Sequence, residues 1–243
     1  MTAPDLVIFD CDGVLIDSEG LAHQALVETL GDYGLHITLE EALEKYAGVS
    51  TASETADLVA RFKTNLPPEF KEKKTARRNQ LFEQSLKSIP GICDFVDALS
   101  CKKCIASSST QERLRHSLGL VGLWNRFAPH IFDAAMVNNG KPAPDLFLFA
   151  ADQMGVPPSG CLVIEDSVAG VRAAKAANMR VFGFTGASHC GAGHADILRR
   201  EGAEQVFVHM NEIAEALHSE SLPTRGRELL SCSNLCPTDR IPS

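Results

Sequence analysis

The sequence predicts an α/β protein: a parallel, doubly wound sheet with an all-helical block inserted after its first strand. Three observations carry this reading. Short apolar runs suited to strands buried on both faces recur at residues 6–9, 103–107, 161–164, 181–184 and 205–208. Helical patterns separate them, and such alternation builds parallel sheets. Between the first run and the second, residues 19–87 carry helical periodicity and no convincing strand.

The first run, Leu6 to Phe9, stops at Asp10, and Cys11-Asp12-Gly13 follows. An unpaired buried charge is costly, so carboxylates at the end of a buried strand need a reason. In open α/β sheets ligands bind at the carboxyl ends of the strands. Two acids there could hold a cation, or one could attack an electrophile while the other moves protons.

The inserted block reads as four helices. Ala22, Ala25, Leu26, Thr29, Leu30 and Tyr33 recur at helical spacing, with Gly34 as the stop. Leu39, Ala42, Leu43 and Tyr46 mark a second helix ending near Gly48, and Ala52, Thr55, Leu58, Val59 and Phe62 a third. Pro67-Pro68 breaks the chain before a polar helix, rich in Lys and Arg, over residues 69–88. Pro90-Gly91 then marks the return to the sheet, through a short helix with Phe95, Val96 and Leu99 inward.

The second strand ends in Ser107-Ser108-Ser109-Thr110. Ser109 with Glu112 has capping-box spacing, and Gly119 closes the helix that follows. Residues 124–131 read as a connection, with Ile131-Phe132 a short strand. Gly140-Lys141-Pro142-Ala143-Pro144-Asp145 is a loop fixed by two prolines, and Pro144 suits the first helical turn. The run at 161–164 ends, like the first, in acids: Glu165-Asp166. Ser167 can cap the next helix, and Asn178 stands where a left-handed residue is wanted. A last helix is expected near residues 195–201, and residues 219–243 read as a disordered tail.

A chain of 243 residues, 44% apolar, suits one α/β domain carrying a smaller insertion. Its net charge of −8 argues against nucleic acid or an anionic membrane as partner. No run approaches the roughly 18 apolar residues of a membrane span. The N-terminus shows no leader, so a cytoplasmic monomer is expected. The eight cysteines include a C-x-x-C pair, Cys101 and Cys104, and Cys232 and Cys236 near the end. They read as reduced, structural residues rather than a zinc site.

In order, the motifs are D-x-D-G at Asp10, Asp12 and Gly13, the strand-end Ser107, Lys141 in G-K-P-A-P-D, and Glu165-Asp166 in V-I-E-D-S-V-A-G. This set resembles the haloacid dehalogenase-superfamily phosphohydrolases that carry a helical cap after the first strand, over residues 6–208. The resemblance implies a Rossmann-like core of residues 1–17 and 88–218 and a cap of residues 18–87. It also implies Mg²⁺-dependent hydrolysis of a small phosphorylated metabolite through an aspartyl-phosphate. A phosphate monoester is a dianion that resists attack, so such a site must neutralise charge.

In this resemblance Asp10 is the nucleophile and Asp12 the acid and base. Asp10, Asp166 and the carbonyl of Asp12 are metal ligands, with Glu165 a further ligand or the holder of a bound water. Ser107 and Lys141 bind the phosphoryl group, helped by backbone N–H groups near Cys11, Asp12 and Ser108. The cap would set the substrate through Glu19, His23, the turn Gly48-Val49-Ser50, and Arg77 and Arg78, which could reach substrate oxygens. His189 and the remaining histidines read as surface or structural.

The related β-phosphoglucomutases share the core motifs. They place an arginine where this chain has Thr51 and a histidine where it has Ala22, and those departures favour a phosphatase. The opening motif and G-F-T-G-A-S-H at residues 183–189 look more like bacterial sugar-phosphate phosphatases, including those acting on 6-phosphogluconate. A dehalogenase would lack Asp12. A receiver-like signalling module would be about half this length, with no cap.

Overall fold

The structure is a computed structural model describing residues 3–49 and 51–221. Six strands form one sheet: β1 (Leu6–Phe9), β2 (Lys102–Ser107), β3 (Ile131–Asp133), β4 (Cys161–Glu165), β5 (Arg180–Phe184) and β6 (Gln205–Phe207). Their order is β3-β2-β1-β4-β5-β6, and every pairing is parallel. β1 lies inside the sheet with all four residues fully buried, which explains an apolar run with no polar face.

Strand alternation divides the core into two layers. Val7 and Phe9 pack with Phe95 of α5 (Ile92–Ala98), Leu114 and Leu118 of α6 (Gln111–Leu120), Phe127 of α7 (Trp124–Phe127) and Ile213 of α11 (Met210–Ser221). Leu6 and Ile8 face Leu146 and Phe147 of α8 (Asp145–Met154), Val171 of α9 (Val168–Ala176) and Leu198 of α10 (His194–Glu201). A third apolar cluster belongs to the insertion: Leu26 and Leu30 of α1 (Glu19–Gly31), Ala42 and Tyr46 of α2 (Leu39–Tyr46), Leu58 of α3 (Thr51–Phe62) and Phe70 of α4 (Phe70–Ser85). Thr38 and Glu41 close a reciprocal capping box at the start of α2.

Two strands of chain join the helical block to the sheet, and they bond to each other. Asp17 N–H donates to Lys87 O (3.0 Å) and Ile89 N–H to Leu15 O (2.9 Å). The block folds back over the sheet edge: a Cβ on Gly48 would stand 3.5 Å from Ser167 Cβ.

The structure revises several local expectations. Thr110, not Ser109, caps α6, accepting from Arg113 N–H. That helix runs past Gly119 to Leu120, and the left-handed residue is Gly122 (φ +71). Residues 124–127 are helical rather than a plain connection, and α4 ends at Ser85. α11 extends through Ser221, beyond the expected start of the tail; residues 222–243 lie outside the described residues. Asn178 does take a positive φ, of 56°. Among the described residues no helix is long and apolar enough to cross a membrane.

Candidate active site

The register of the sheet assembles the site. Phe9 pairs with Ile105 on one side and Ile164 on the other, so Asp10, Ser107 and Glu165-Asp166 leave three adjacent strands at one edge. Here the strand order reverses direction from β1, and the crevice this opens is where ligands bind in such sheets.

Lys141 sits at the centre. The loop before α8 carries its ammonium to Asp10 Oδ1 (2.6 Å), Glu165 Oε1 (2.6 Å) and Ala106 O (2.9 Å), which uses all three donors. Burial opposes its charge, but the two carboxylates hold its pKa well above the usual lysine range. Asp10 experiences the opposite balance. Burial pushes its pKa well up, Lys141 pulls it down, and Glu165 and Asp166 add to the rise.

Asp12 occupies a separate, more cationic pocket. Ser18 Oγ and Arg113 Nη2 donate to its Oδ1 (2.5 and 2.8 Å), and Ser109 Oγ donates to its Oδ2 (2.6 Å). Burial opposes ionisation there. Arg113 and the two hydroxyls outweigh it, holding Asp12 below the usual carboxylate range. The two acids of D-x-D-G are therefore pushed in opposite directions, Asp10 up and Asp12 down.

Ser107 is buried at the end of β2 and accepts from Ser109 N–H (3.1 Å), which leaves its hydroxyl proton for an incoming acceptor. Ser108 is exposed beside it. Asp10, Glu165 and Asp166 each offer an oxygen within 4.8 Å of the others, a hard-oxygen set that suits Mg²⁺. Both Glu165 oxygens are already engaged, Oε1 by Lys141 and Oε2 by Ser167 N–H and Oγ (2.9 Å each). The second oxygens of Asp10 and Asp166 accept no hydrogen bond from the described residues, so these two acids could hold a divalent ion.

Of the expected cap residues, Glu19 faces the site, close enough that its charge acts on Asp166 and Arg113. His23 does not. It is buried, and its Nδ1 turns back to Glu19 O (2.8 Å). Arg77 is directed to α1 instead of the cleft, with Nη1 2.9 Å from Asp32 and Nε 3.5 Å from Glu28. Arg78, the next residue, turns inward toward Asp12. Ser50 lies outside the described residues.

Four contacts escaped the sequence reading. His189 Nε2 lies 3.1 Å from Asp166 Oδ2, and His194 Nε2 donates to Asp166 O (2.6 Å). Burial works against a charge on His189, but Asp166 and Cys190 beside it raise its pKa to about 11. Burial and Glu165 raise Asp166 to about 6. Arg113 and Ser109 are the other two. The S-H-C-G-A-G-H stretch after β5, at a further strand end, was the available signal for the histidines.

Gly13 makes the close approach of Asp166 possible. It has φ +84°, and a Cβ there would stand 2.7 Å from Asp166 Cγ and 2.9 Å from His189 Cε1. Gly13→Ala should therefore fold but displace Asp166, costing about 10²-fold in kcat. Wild-type kinetics in that variant would refute the assignment.

An aspartate fixed by a buried lysine at the topological switch of a parallel sheet, under a helical insertion, defines a hydrolase built around a carboxylate. The chain belongs to the haloacid dehalogenase-like hydrolase family, whose sequence pattern matches residues 7–184. Among curated relatives, 6-phosphogluconate phosphatase of Escherichia coli is 30% identical over 191 residues, covering 78% of this chain and 86% of that protein. Fructose-1-phosphate phosphatase of the same organism is 34% identical over 184 residues, covering 71% and 92%. A haloacid dehalogenase-like protein of unknown function from Agrobacterium tumefaciens has a similar solved structure. Its TM-score is 0.79 at 39% identity, over 90% of this chain and 99% of that one.

Proposed function

We propose that this protein is a Mg²⁺-dependent phosphatase that hydrolyses a small sugar or sugar-acid phosphate through an aspartyl-phosphate. The observation that carries the proposal is Asp10: it lies at the end of the central strand, with one oxygen held by Lys141 and the other accepting no hydrogen bond from the described residues. The family and the names of the relatives support hydrolysis of a small phosphorylated metabolite.

The free oxygen of Asp10 attacks phosphorus, and the bond to the substrate alcohol breaks. Asp12 gives the departing oxygen its proton. It is ionised at rest, and an arriving dianion raises its pKa toward the protonated form this step needs. Asp12 then takes a proton from water, whose oxygen attacks the phosphorus, and Asp10 leaves as the free carboxylate. Ser107 and the backbone N–H groups of Cys11, Asp12 and Ser108 hold the phosphoryl oxygens. Lys141 balances the carboxylates as negative charge gathers. A magnesium ion held by Asp10, Asp166 and the carbonyl of Asp12 would neutralise charge on the phosphoryl oxygens. Residues 18–87 form the cap that excludes water from this shallow site and selects the leaving group.

The test is phosphate release from a panel of sugar phosphates and phosphorylated sugar acids. Release is expected with Mg²⁺ and should fall to background with EDTA. Activity unaffected by chelation would remove the metal from the scheme. Interconversion of hexose phosphates after priming with a bisphosphate, in place of release, would make the protein a mutase.

A further inference from the structure

Two arginines converge beside Asp12 from opposite halves of the molecule. Arg113 rises from α6 and bonds Asp12 directly. Arg78 comes from α4 of the helical block. Their guanidinium carbons each lie 5.8 Å from the ring centre of Phe82, and the Nε of each is buried without a hydrogen-bond partner.

The two are not equally neutralised. Asp12 is shared among Arg113, Ser18 and Ser109. Arg78 donates instead to the neutral amide of Asn79 (Nη2 to Oδ1, 2.9 Å). Asp12 and Glu112 act on it only at longer range, and burial with the like charge of Arg113 brings its pKa down to about 10. Four other cations of this molecule have an acid at hand. Lys141 has two carboxylates, His189 has Asp166, Lys74 has Glu54, and Arg77 has Glu28 and Asp32. Arg78 is thus a half-buried cation beside the cleft, its Nε buried, with no acid in direct contact among the described residues. Leaving a buried charge unpaired is costly, and a guanidinium fork is shaped for carboxylate or phosphate oxygens.

We propose that Arg78, with Arg113 across Phe82, binds a second anionic group on the leaving portion of the substrate. The preferred substrate then carries a carboxylate or a second phosphate besides the one hydrolysed. This deepens the phosphatase reading and rests on it, because it is Asp12's role in protonating the leaving oxygen that puts the leaving group on this side.

The experiment compares a hexose monophosphate, the matching phosphorylated hexonic acid and a hexose bisphosphate. Wild-type kcat/KM should favour one or both of the doubly anionic compounds, and which one leads distinguishes carboxylate from phosphate. Arg78→Met should collapse that preference about 10- to 100-fold, the worth of a charge-assisted hydrogen bond. Arg78→Lys should keep part of it, and Arg77→Met should keep it fully. Arg78→Gln gives the same readout if Met packs poorly. No preference in the wild type, or an equal loss in Arg77→Met, would overturn the proposal.

Binding of the three compounds to Asp10→Asn with and without Arg78→Met, followed by calorimetry, separates the two readings. If no compound is hydrolysed but the doubly anionic ones bind better and lose that advantage with Arg78, the subsite stands and the phosphatase reading falls. Equal binding in both chains would overturn the subsite.

Discussion

Asp10→Asn should lower kcat by roughly 10⁴-fold or more while the chain stays folded. The amide matches the carboxylate in shape but cannot attack phosphorus. Lys141 keeps Glu165 Oε1 and Ala106 O as acceptors, so no cation is stranded. The carboxylate being removed is one that burial already disfavours. Its loss should therefore change the melting temperature by no more than a few degrees. Rapid mixing of the wild type with substrate, followed by acid quench, should trap an acid-stable, hydroxylamine-sensitive phosphoryl group that the variant lacks. Hydrolysis near the wild-type rate in Asp10→Asn would remove this residue from the chemistry.

Lys141→Met should have the reverse profile, with stability and activity lost together. It leaves Asp10 and the fully buried Glu165 without their shared cation. Breaking a buried pair in this way costs about 3–5 kcal/mol. In a protein of this size that lowers the melting temperature by roughly 6–20 °C. Adding Glu165→Gln removes one of the stranded charges and should restore part of the loss, a coupling a double-mutant cycle measures. If Lys141→Met melts with the wild type, the lysine is not what holds the acids together.

The order of elements was legible in the sequence because burial on both faces leaves β1, β4 and β5 as bare apolar runs. The acids at 10, 12, 165 and 166 interrupt those runs abruptly, so their place at the sheet edge could be read without coordinates. What could not be read was which neighbour a polar side chain would choose. Arg77 and Arg78 are adjacent in a basic helix, and a rotation of about 100° per residue sends one to α1 and the other to the cleft. Ser109 has cap spacing, yet its hydroxyl is drawn to Asp12 and Thr110 takes the cap. Arg113 stands one turn into α6 at a position indistinguishable from a solvated one, and only the fold brings it to a carboxylate 101 residues earlier. α11 had a readable signal, Met210, Ile213 and Leu217 at helical spacing, beneath polar residues that masked it.

The loop after β5 ties together two parts of the molecule that the chain itself keeps far apart. Ser188 bonds Asp17 through N–H (3.1 Å) and Oγ (2.8 Å), and the next residue, His189, lies against Asp166. One short segment thus clasps both the joint between the two halves and a buried acid of the site. Because the two contacts sit on successive residues, a shift of this loop would loosen the joint and uncover Asp166 together.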